Sequence, residues 1–179
     1  MPSTPRVEDP PEVGRNREEP NDGDGEEGYS SDLLDHETFN QLLEMDDDVD
    51  HDFSKSIVWH YFEQAETTFQ EMDKALSDEN LVELSKLGHF LKGSSAAIGL
   101  KKVKASCEKM QHYGNMKDET GTESISEEDA LKKISSLLEK VKEEYKEAET
   151  YLKNFYSERD DTDNTKNTDE KDSSPTEKD

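Results

Sequence analysis

The sequence predicts an all-α fold, an antiparallel four-helix bundle with an additional short N-terminal helix. Apolar residues recur at steps of three and four over 53–76 and again over 131–155, which is the spacing of one helix face. Two further helical patterns lie between these stretches, and no strand-type alternation of β-branched residues occurs anywhere. We expect helices at 35–45, 53–76, 80–99, 101–117 and 126–156, with the first packed across one end of the bundle.

The first two helices are separated by an acidic loop. Asp35 is a good N-cap for a helix whose apolar residues are Phe39, Leu42 and Leu43. The aspartate-rich run 46–50 lacks the central glycine and closing glutamate of an EF-hand, so it is interpreted as a solvated loop and not as a calcium site. The second helix is amphipathic, with apolar positions at 53, 57, 58, 61, 62, 65, 69, 72 and 76.

The last two helices complete the bundle. After Gly99 ends the central helix, the next one carries Val103, Cys107 and Met110 on one side. The final helix has an unbroken apolar seam from Leu131 to Phe155. This seam covers only about three and a half heptads, so we expect it to fold back as a bundle helix instead of forming a coiled coil.

Charge divides the chain into three parts. Residues 1–32 carry three basic and ten acidic side chains, and residues 157–179 carry four and nine. The part between them, 33–156, holds nearly all the apolar residues and has a net charge of −12 out of −24. We therefore expect one folded domain at 33–156 between two disordered acidic tails, 1–32 and 157–179.

The same composition excludes several classes of protein. An acidic chain with a pI of about 4.5 and no basic patch is repelled by phosphate backbones, so no nucleic-acid partner is expected. No apolar run approaches the length of a membrane span, and no signal peptide begins the chain. A single cysteine, Cys107, forms neither an internal disulfide nor a cysteine-rich zinc site and fits a reducing compartment. We expect a soluble monomer that needs no membrane.

The central helix displays a histidine. Leu84, Leu87, Leu91 and Ile98 share one face that must be buried, and His89 lies about 200° from both Leu87 and Leu91 around the helix. A histidine in this position is often only a polar residue on the solvent-exposed face of a helix, with no functional role. Here its neighbours favour a docking site for a macromolecule: Lys92 is one turn away, and Gly93 leaves an approach free at a cost of about 1 kcal/mol relative to alanine.

The stretch His89–Leu100 reads HFLKGSSAAIGL and resembles the phosphorylation-site helix of histidine-containing phosphotransfer (HPt) proteins, most closely the fungal osmosensing phosphorelay intermediates. Further similarity lies at Cys107-Glu108, at Gln111 and in short matches over 45–48, 52–55 and 64–69. The resemblance covers about residues 35–156.

The resemblance implies a phosphorelay carrier. His89 would accept a phosphoryl group from the receiver-domain aspartate of a hybrid sensor histidine kinase and pass it to a response-regulator receiver, in osmotic or oxidative stress signalling. The receivers would be the partners and would supply Mg²⁺, so the chain would need no cofactor or metal of its own. It contains no ATP-binding signature, so no kinase activity is expected. The family's role implies both cytoplasmic and nuclear localisation.

Other site roles are also implied by the resemblance. Lys92 would neutralise phosphoryl oxygens, Gly93 would give access, and Gln111 would hydrogen bond one imidazole nitrogen. Gly99 is a second access or packing glycine. The candidate partner-binding residues are Phe90 and Ser94, which flank the site, together with Leu42, Asp48 and Gln64. Asn115 stands where the budding-yeast type of the family has a basic residue, and Lys117 is the possible substitute.

Two other functions remain open. The flat glycine- and alanine-rich surface around His89 could belong to a non-catalytic helical adaptor, in which glutamine would replace His89 without loss. The acidic tails could belong to a chaperone for basic proteins, whose binding would disappear with residues 1–32 and 157–179. Composition and periodicity alone indicate only an acidic, soluble helical bundle.

Overall fold

The computed structural model describes residues 32–47 and 49–164, with side chains described as far as Ser157. Five helices follow one another within these residues: α1 (His36–Leu43), α2 (Asp52–Ser77), α3 (Leu81–Ala97), α4 (Lys101–Gly114) and α5 (Glu127–Asn164). Only isolated bridges, and no strands, occur in this part of the chain. The predicted all-α fold is confirmed.

Side-chain contacts show that neighbouring helices run antiparallel. Along α4 and α5, Ser106 Oγ donates to Glu144 Oε2 at 2.6 Å, while Lys133 near the start of α5 lies over the ring of Tyr113 near the end of α4. Contacts near both ends of α2 show that α2 and α5 are also antiparallel. The Tyr156 hydroxyl donates to Ser54, and Lys142 contacts Asp73 at 2.6 Å. The helices therefore form the predicted antiparallel bundle.

The core lies between α2, α3, α4 and α5 and is rich in aromatic rings. The rings of Phe69 and Tyr145 pack edge to face with centroids 5.3 Å apart, and Phe62 contacts the same tyrosine at 6.2 Å. Offset and edge-on ring pairs of this kind stabilise a core by about 0.5–1.5 kcal/mol beyond their buried area. Cys107 is fully buried in this core, as its position beside Val103 and Met110 predicts.

Helix α1 closes one end of the bundle through a turn that requires glycine. Asp35 caps α1 by accepting hydrogen bonds from the backbone N–H groups of Glu37 and Thr38, and its own N–H donates to Gly99 O at 2.7 Å. Gly99 has φ +81°, and a Cβ there would lie 2.8 Å from Asp35 O. Only glycine fits this turn. The residues just before α1 are thereby held beside the start of α4.

A carboxylate from the preceding loop caps α2. The residue at the N-cap position, His51, has φ 53° and makes no side-chain cap hydrogen bond. Asp46 takes over this role, because its Oδ1 accepts from Ser54 N at 2.7 Å and its Oδ2 lies 2.7 Å from His51 Nδ1. The aspartate-rich run is therefore partly structural, with Asp46 only 2% exposed.

Three helices end earlier than predicted, namely α1 at Leu43, α3 at Ala97 and α4 at Gly114 instead of residues 45, 99 and 117. Helix α5 continues to Asn164, past the predicted end at residue 156, because an established helix adds residues at little cost even without burial. Phe53 was placed on the buried stripe of α2 but is 47% exposed, although its neighbour Ser54 is fully buried against Tyr156. The predicted disordered tails were 1–32 and 157–179; residues 157–164 are helical instead, while 1–31 and 165–179 lie outside the described residues. Within the described part, no helix is long and apolar enough to span a bilayer.

Candidate functional site

Helix α3 presents the imidazole of His89 on the surface of the bundle. Leu84 and Leu91 are fully buried and Leu87 nearly so, which confirms the predicted core face. His89 lies on the other side of the helix and is exposed. Among the described residues its ring makes no hydrogen bond or ion pair. Both ring nitrogens are therefore open to an incoming molecule.

Two glycines bring α4 very close to α3. A Cβ on Gly88 would lie 3.1 Å from both Cys107 O and Gln111 N, and one on Gly114 would lie 2.7 Å from Ser85 N. Gly88 is therefore buried in the helix crossing and is not part of the exposed surface around His89. Its position four residues after Leu84 and three before Leu91 is the sequence signal that indicates burial.

The close crossing places polar groups of α4 against Lys92. The ammonium of Lys92 donates to Gln111 Oε1 at 3.0 Å and lies 3.8 Å from Glu108 Oε1. These contacts hold the cation one helical turn from His89, where it is three-quarters buried. Gln111 was expected to bond the imidazole, but the structure directs its carbonyl oxygen to Lys92.

Gly93 leaves open space beside the imidazole. No atom lies within 4 Å of the place a Cβ would occupy at this position. A glycine inside a helix is less favourable than alanine by about 1 kcal/mol, and here neither packing nor backbone conformation requires it. The bundle would fold with a larger residue at position 93. The open space at Gly93 therefore lies on the surface next to His89, one helical turn further along α3.

The other predicted residues on α3 differ in their surroundings. Phe90 is half exposed beside His89. The Ser94 hydroxyl donates to the backbone carbonyl of Phe90 at 3.2 Å, so it is engaged within its own helix. Gly99 lies beyond the end of the helix against Asp35 and serves packing, not access to His89.

The predicted partner contacts outside α3 are only partly accessible. Leu42 is only 7% exposed and packs in the core. Its prediction as a partner-binding residue is therefore wrong, because a buried side chain cannot contact a docked protein. Gln64 is half-buried on α2, with its amide nitrogen 3.1 Å from His60 Nε2. Asp48 lies outside the described residues.

Neither of the two residues considered as a source of positive charge after α4, Asn115 and Lys117, reaches this site. Asn115 Oδ1 accepts from the Ser85 hydroxyl at 3.1 Å, within the α3–α4 crossing. Lys117 donates to Ser124 Oγ at 3.0 Å in the loop that precedes α5. No group of three or more metal-binding side chains occurs in the described part of the chain.

Two features of the surface were missed from the sequence. Glu108 faces Lys92, and its spacing of three from Gln111 on α4 is the signal that could have placed both on one side of that helix. Three large apolar residues before and at the start of α2 are exposed, namely Met45, Val49 and Phe53 at 58%, 82% and 47%. Met45 and Val49 lie in an irregular segment without periodicity, so their exposure could not be read from a pattern. The stripe of α2 wrongly predicted that Phe53 is buried.

The Hpt domain profile matches residues 56–157, which include all of α3 and α4 and most of α2 and α5. The chain belongs to the Hpt domain family. In this Hpt domain, the exposed His89 stands on the helix where the resemblance predicted it. The predicted family is confirmed.

Curated relatives of this Hpt domain carry phosphorelay names. The multistep phosphorelay regulator 1 of Schizosaccharomyces pombe is 55% identical over 125 residues, which are 69% of this chain and 42% of the relative. The phosphorelay intermediate protein YPD1 of Saccharomyces cerevisiae is 47% identical over 85 residues, 47% of this chain and 50% of the relative. The chain thus spans about half or less of the length of these relatives.

Solved structures share the fold. The Saccharomyces cerevisiae phosphotransfer protein Ypd1, crystallised with the receiver domain of its downstream response regulator Ssk1, superposes with a TM-score of 0.61 at 33% identity. The match covers 70% of this chain and 95% of that one. The Medicago truncatula phosphotransfer protein MtHPt2 has a TM-score of 0.63 at 22% identity and shows the likeness of fold alone.

Proposed function

We propose that this Hpt domain is a phosphohistidine carrier in a multistep phosphorelay. His89 takes a phosphoryl group from the receiver aspartate of a hybrid sensor histidine kinase and delivers it to the receiver aspartate of a response regulator. The proposal rests on the match to the Hpt family and on relatives that are named phosphorelay intermediates. The structure of a relative with a receiver domain supports receivers as the partners.

One structural observation carries the proposal. The imidazole of His89 has no hydrogen-bond or ion-pair partner among the described residues, and it stands one turn from the positioned ammonium of Lys92 and beside the open space at Gly93. The bundle core is complete without His89. The arrangement suits a nucleophile that an outside phosphoryl donor approaches over Gly93.

The transfer step needs only groups that the two partners hold. One ring nitrogen of neutral His89 attacks the phosphorus, the P–O bond to the donor aspartate breaks, and the aspartate leaves as a carboxylate. The other ring nitrogen of the exposed imidazole then releases its proton to solvent water, which yields a neutral ring bearing the phosphoryl group. Lys92 contacts the phosphoryl oxygens through a charge-assisted hydrogen bond. Gln111 and Glu108 position Lys92 for this contact.

The receiver supplies the Mg²⁺ that stabilises charge on the transferred group. The Hpt domain therefore acts without a cofactor of its own and without ATP-dependent kinase activity. Incubation of the pure protein with labelled ATP and Mg²⁺ should give no phosphoprotein, and label on His89 under those conditions would contradict this part of the proposal.

The setting of the relay is proposed from the family. We place it in osmotic or oxidative stress signalling, with a monomeric carrier that moves between cytoplasm and nucleus. Fluorescent tagging in a fungal host before and after osmotic shock tests the localisation. Exclusion of the tagged protein from either compartment would contradict it.

Phosphotransfer from a labelled receiver tests the carrier role. A receiver phosphorylated on its aspartate should transfer an acid-labile label to the wild-type protein, and His89→Gln should receive none. His60→Gln is the matched control, because His60 is an exposed histidine on α2 whose ring is also surface-accessible. Label on His89→Gln at the wild-type level would overturn the assignment of the site.

A non-catalytic adaptor is the second candidate, favoured by the half-exposed Phe90 beside His89. An adaptor would bind receivers and take no phosphoryl group. Binding of His89→Gln to receivers with wild-type affinity, together with no transfer to the wild-type protein, would select the adaptor over the carrier.

A further inference from the structure

A groove between α4 and α5 is lined by lysines. Its cavity of about 430 Å³ has the ammonium-bearing residues Lys109, Lys132, Lys133 and Lys140 around an apolar floor that includes Tyr113 and Leu137. No Asp or Glu is among its described lining residues. This is unusual in a chain with 46 acidic and 22 basic residues. We call these six residues the lysine cavity.

The ammonium groups of the lysine cavity keep hydrogen-bonding capacity. Lys109 pairs with Glu119 at 3.1 Å, Lys132 with Glu128 at 3.2 Å and Lys140 with Glu144 at 3.6 Å, and these lysine side chains are 42%, 73% and 62% exposed. Exposed pairs of this kind contribute only about 0–1 kcal/mol, and an ammonium has three donors. Lys133 lies 5.7 Å from the centroid of the Tyr113 ring. The cavity can therefore accept further carboxylates.

The lysine cavity is separate from the His89 site. Helix α4 turns Glu108 and Gln111 toward Lys92 on α3, whereas it turns Tyr113 toward Lys133 on α5. A ligand in the cavity thus lies on the α5 side of α4. It would leave the imidazole accessible.

The chain itself contains a complementary segment. Residues 18–27, EEPNDGDGEE, hold six carboxylates in ten positions and no basic residue. Residues 165–179 are much less acidic, with five acidic and three basic side chains. A tethered segment acts at an effective concentration of about millimolar, so it competes well against separate acidic molecules.

The point where the N-terminal segment leaves the bundle favours it further. Leu34 pairs with Leu100 directly before α4, and α4 rises roughly 18 Å from Lys101 to Tyr113 at about 1.5 Å per residue. At about 3.3 Å per residue, residues 27 to 18 reach from roughly 16 to 46 Å beyond Asp32. The C-terminal segment starts about 40 Å along α5 from Leu137, so only its nearly fully extended end would reach.

We propose that the acidic segment 18–27 binds the lysine cavity of its own chain. The carboxylates of the segment contact the lysines of α4 and α5, and its backbone covers the apolar floor. The contact is intramolecular and salt-sensitive, and it leaves the His89 face uncovered. It is independent of the phosphotransfer role proposed above.

Paramagnetic broadening in the full-length protein tests this contact. A nitroxide on Gly25→Cys retains every carboxylate of the segment. It should cause a selective loss of amide peak intensity at Tyr113, Lys133 and Leu137, and this loss should disappear near 1 M salt, where the Debye length is about 3 Å. The native Cys107 does not interfere, because burial raises the pKa of its thiol to about 12 and keeps it protonated.

Matched variants decide the origin of the broadening. Lys132→Gln with Lys133→Gln should abolish the effect, whereas Lys74→Gln with Lys146→Gln removes equal charge elsewhere on the surface and should preserve it. All four substitutions fall at solvent-accessible positions, and helical circular dichroism confirms folding.

Three results would overturn the proposal. The first is no selective broadening from Gly25→Cys, or broadening that survives in the Lys132/Lys133 variant. The second is broadening of the same amides by a nitroxide on Ser174→Cys instead, which would assign the cavity to the C-terminal segment. The third is broadening seen only when a labelled chain is mixed with a separate isotope-enriched chain, which would assign it to a second copy. Whichever of these results is obtained, we expect the Lys132/Lys133 variant to accept a phosphoryl group on His89 as the wild type does.

Discussion

Gly93 and Gly88 lie five residues apart on α3, and the structure predicts opposite results for the same substitution. Alanine at either position gains about 0.5–1 kcal/mol of intrinsic helix propensity. At Gly93 the new methyl group meets no atom within 4 Å, so the full gain should appear. For a domain of this size it corresponds to a rise in Tm of about 2–5 °C.

At Gly88 the methyl group meets the α4 backbone at 3.1 Å and Met110 Cβ at 3.2 Å. Relief of these contacts requires the α4 backbone to move by a few tenths of an ångström, and overpacking of this kind costs about 1–3 kcal/mol. We therefore expect a net loss of roughly 1–2 kcal/mol for Gly88→Ala. Thermal and urea unfolding followed by circular dichroism measure both variants. A destabilised Gly93→Ala or a stabilised Gly88→Ala would refute the reasoning.

The second half of this prediction concerns transfer. Gly93→Leu keeps a good helix former at the position, so the fold should remain stable. Its side chain leans toward the helix N-terminus and hence over His89. Displacing the donor phosphorus by about 1 Å can lower a rate about 100-fold, and we expect a loss of that order in transfer from a phosphorylated receiver. A folded Gly93→Leu protein that transfers at the wild-type rate would show that the open space has no role.

The remaining predictions concern a cation, a cap and a buried hydroxyl. Lys92→Gln should slow transfer to His89 by about 10–100-fold, the equivalent of roughly 1.5–3 kcal/mol for a charge-assisted hydrogen bond. The control Lys86→Gln, an exposed substitution on the same helix, should accept the phosphoryl group at the wild-type rate. Equal rates for the two variants would contradict the role of Lys92. Asp46→Ala should lower the free energy of unfolding at pH 7 by about 1–2 kcal/mol, because α2 loses its cap. Burial raises the pKa of Asp46, but hydrogen bonds from Ser54 and His51 outweigh this effect and lower the pKa below the usual value near 3.8. The carboxylate therefore stabilises the fold above about pH 4, and this stabilisation is lost as the pH falls further. Wild type and Asp46→Ala should then have similar free energies of unfolding in urea at low pH. Tyr61→Phe should cost about 1–3 kcal/mol in the same assay, because it removes the 2.8 Å hydrogen bond to the fully buried Ser95 hydroxyl; an unchanged midpoint would show that Ser95 finds another partner.

The helices and their core faces could be predicted because burial leaves a period in the sequence. Leu84, Leu87 and Leu91 mark the inner face of α3, and the steps of three and four in α5 mark its seam. The cap at Asp35 also has a local sequence signal. These features depend on residues close together in the chain.

Other features depend on contacts between distant residues and could not be predicted in the same way. Lys92 meets Gln111 only because Gly88 lets two helices approach closely, and a glycine adds nothing to a hydrophobic pattern. Leu42 was chosen as a surface contact although α1 folds it into the core. The lysine cavity combines positions from α4 and α5, whose alignment follows from the antiparallel packing of the helices.

The second half of the relay is the most direct test of the carrier role. Purified protein bearing a labelled phosphoryl group should be mixed with an unphosphorylated response-regulator receiver and Mg²⁺, and label on both proteins followed over time. The carrier role predicts that label leaves His89 at the rate at which it appears on the receiver aspartate, with little free phosphate. Label that remains on the Hpt domain, or that appears only as inorganic phosphate for every receiver tried, would contradict it.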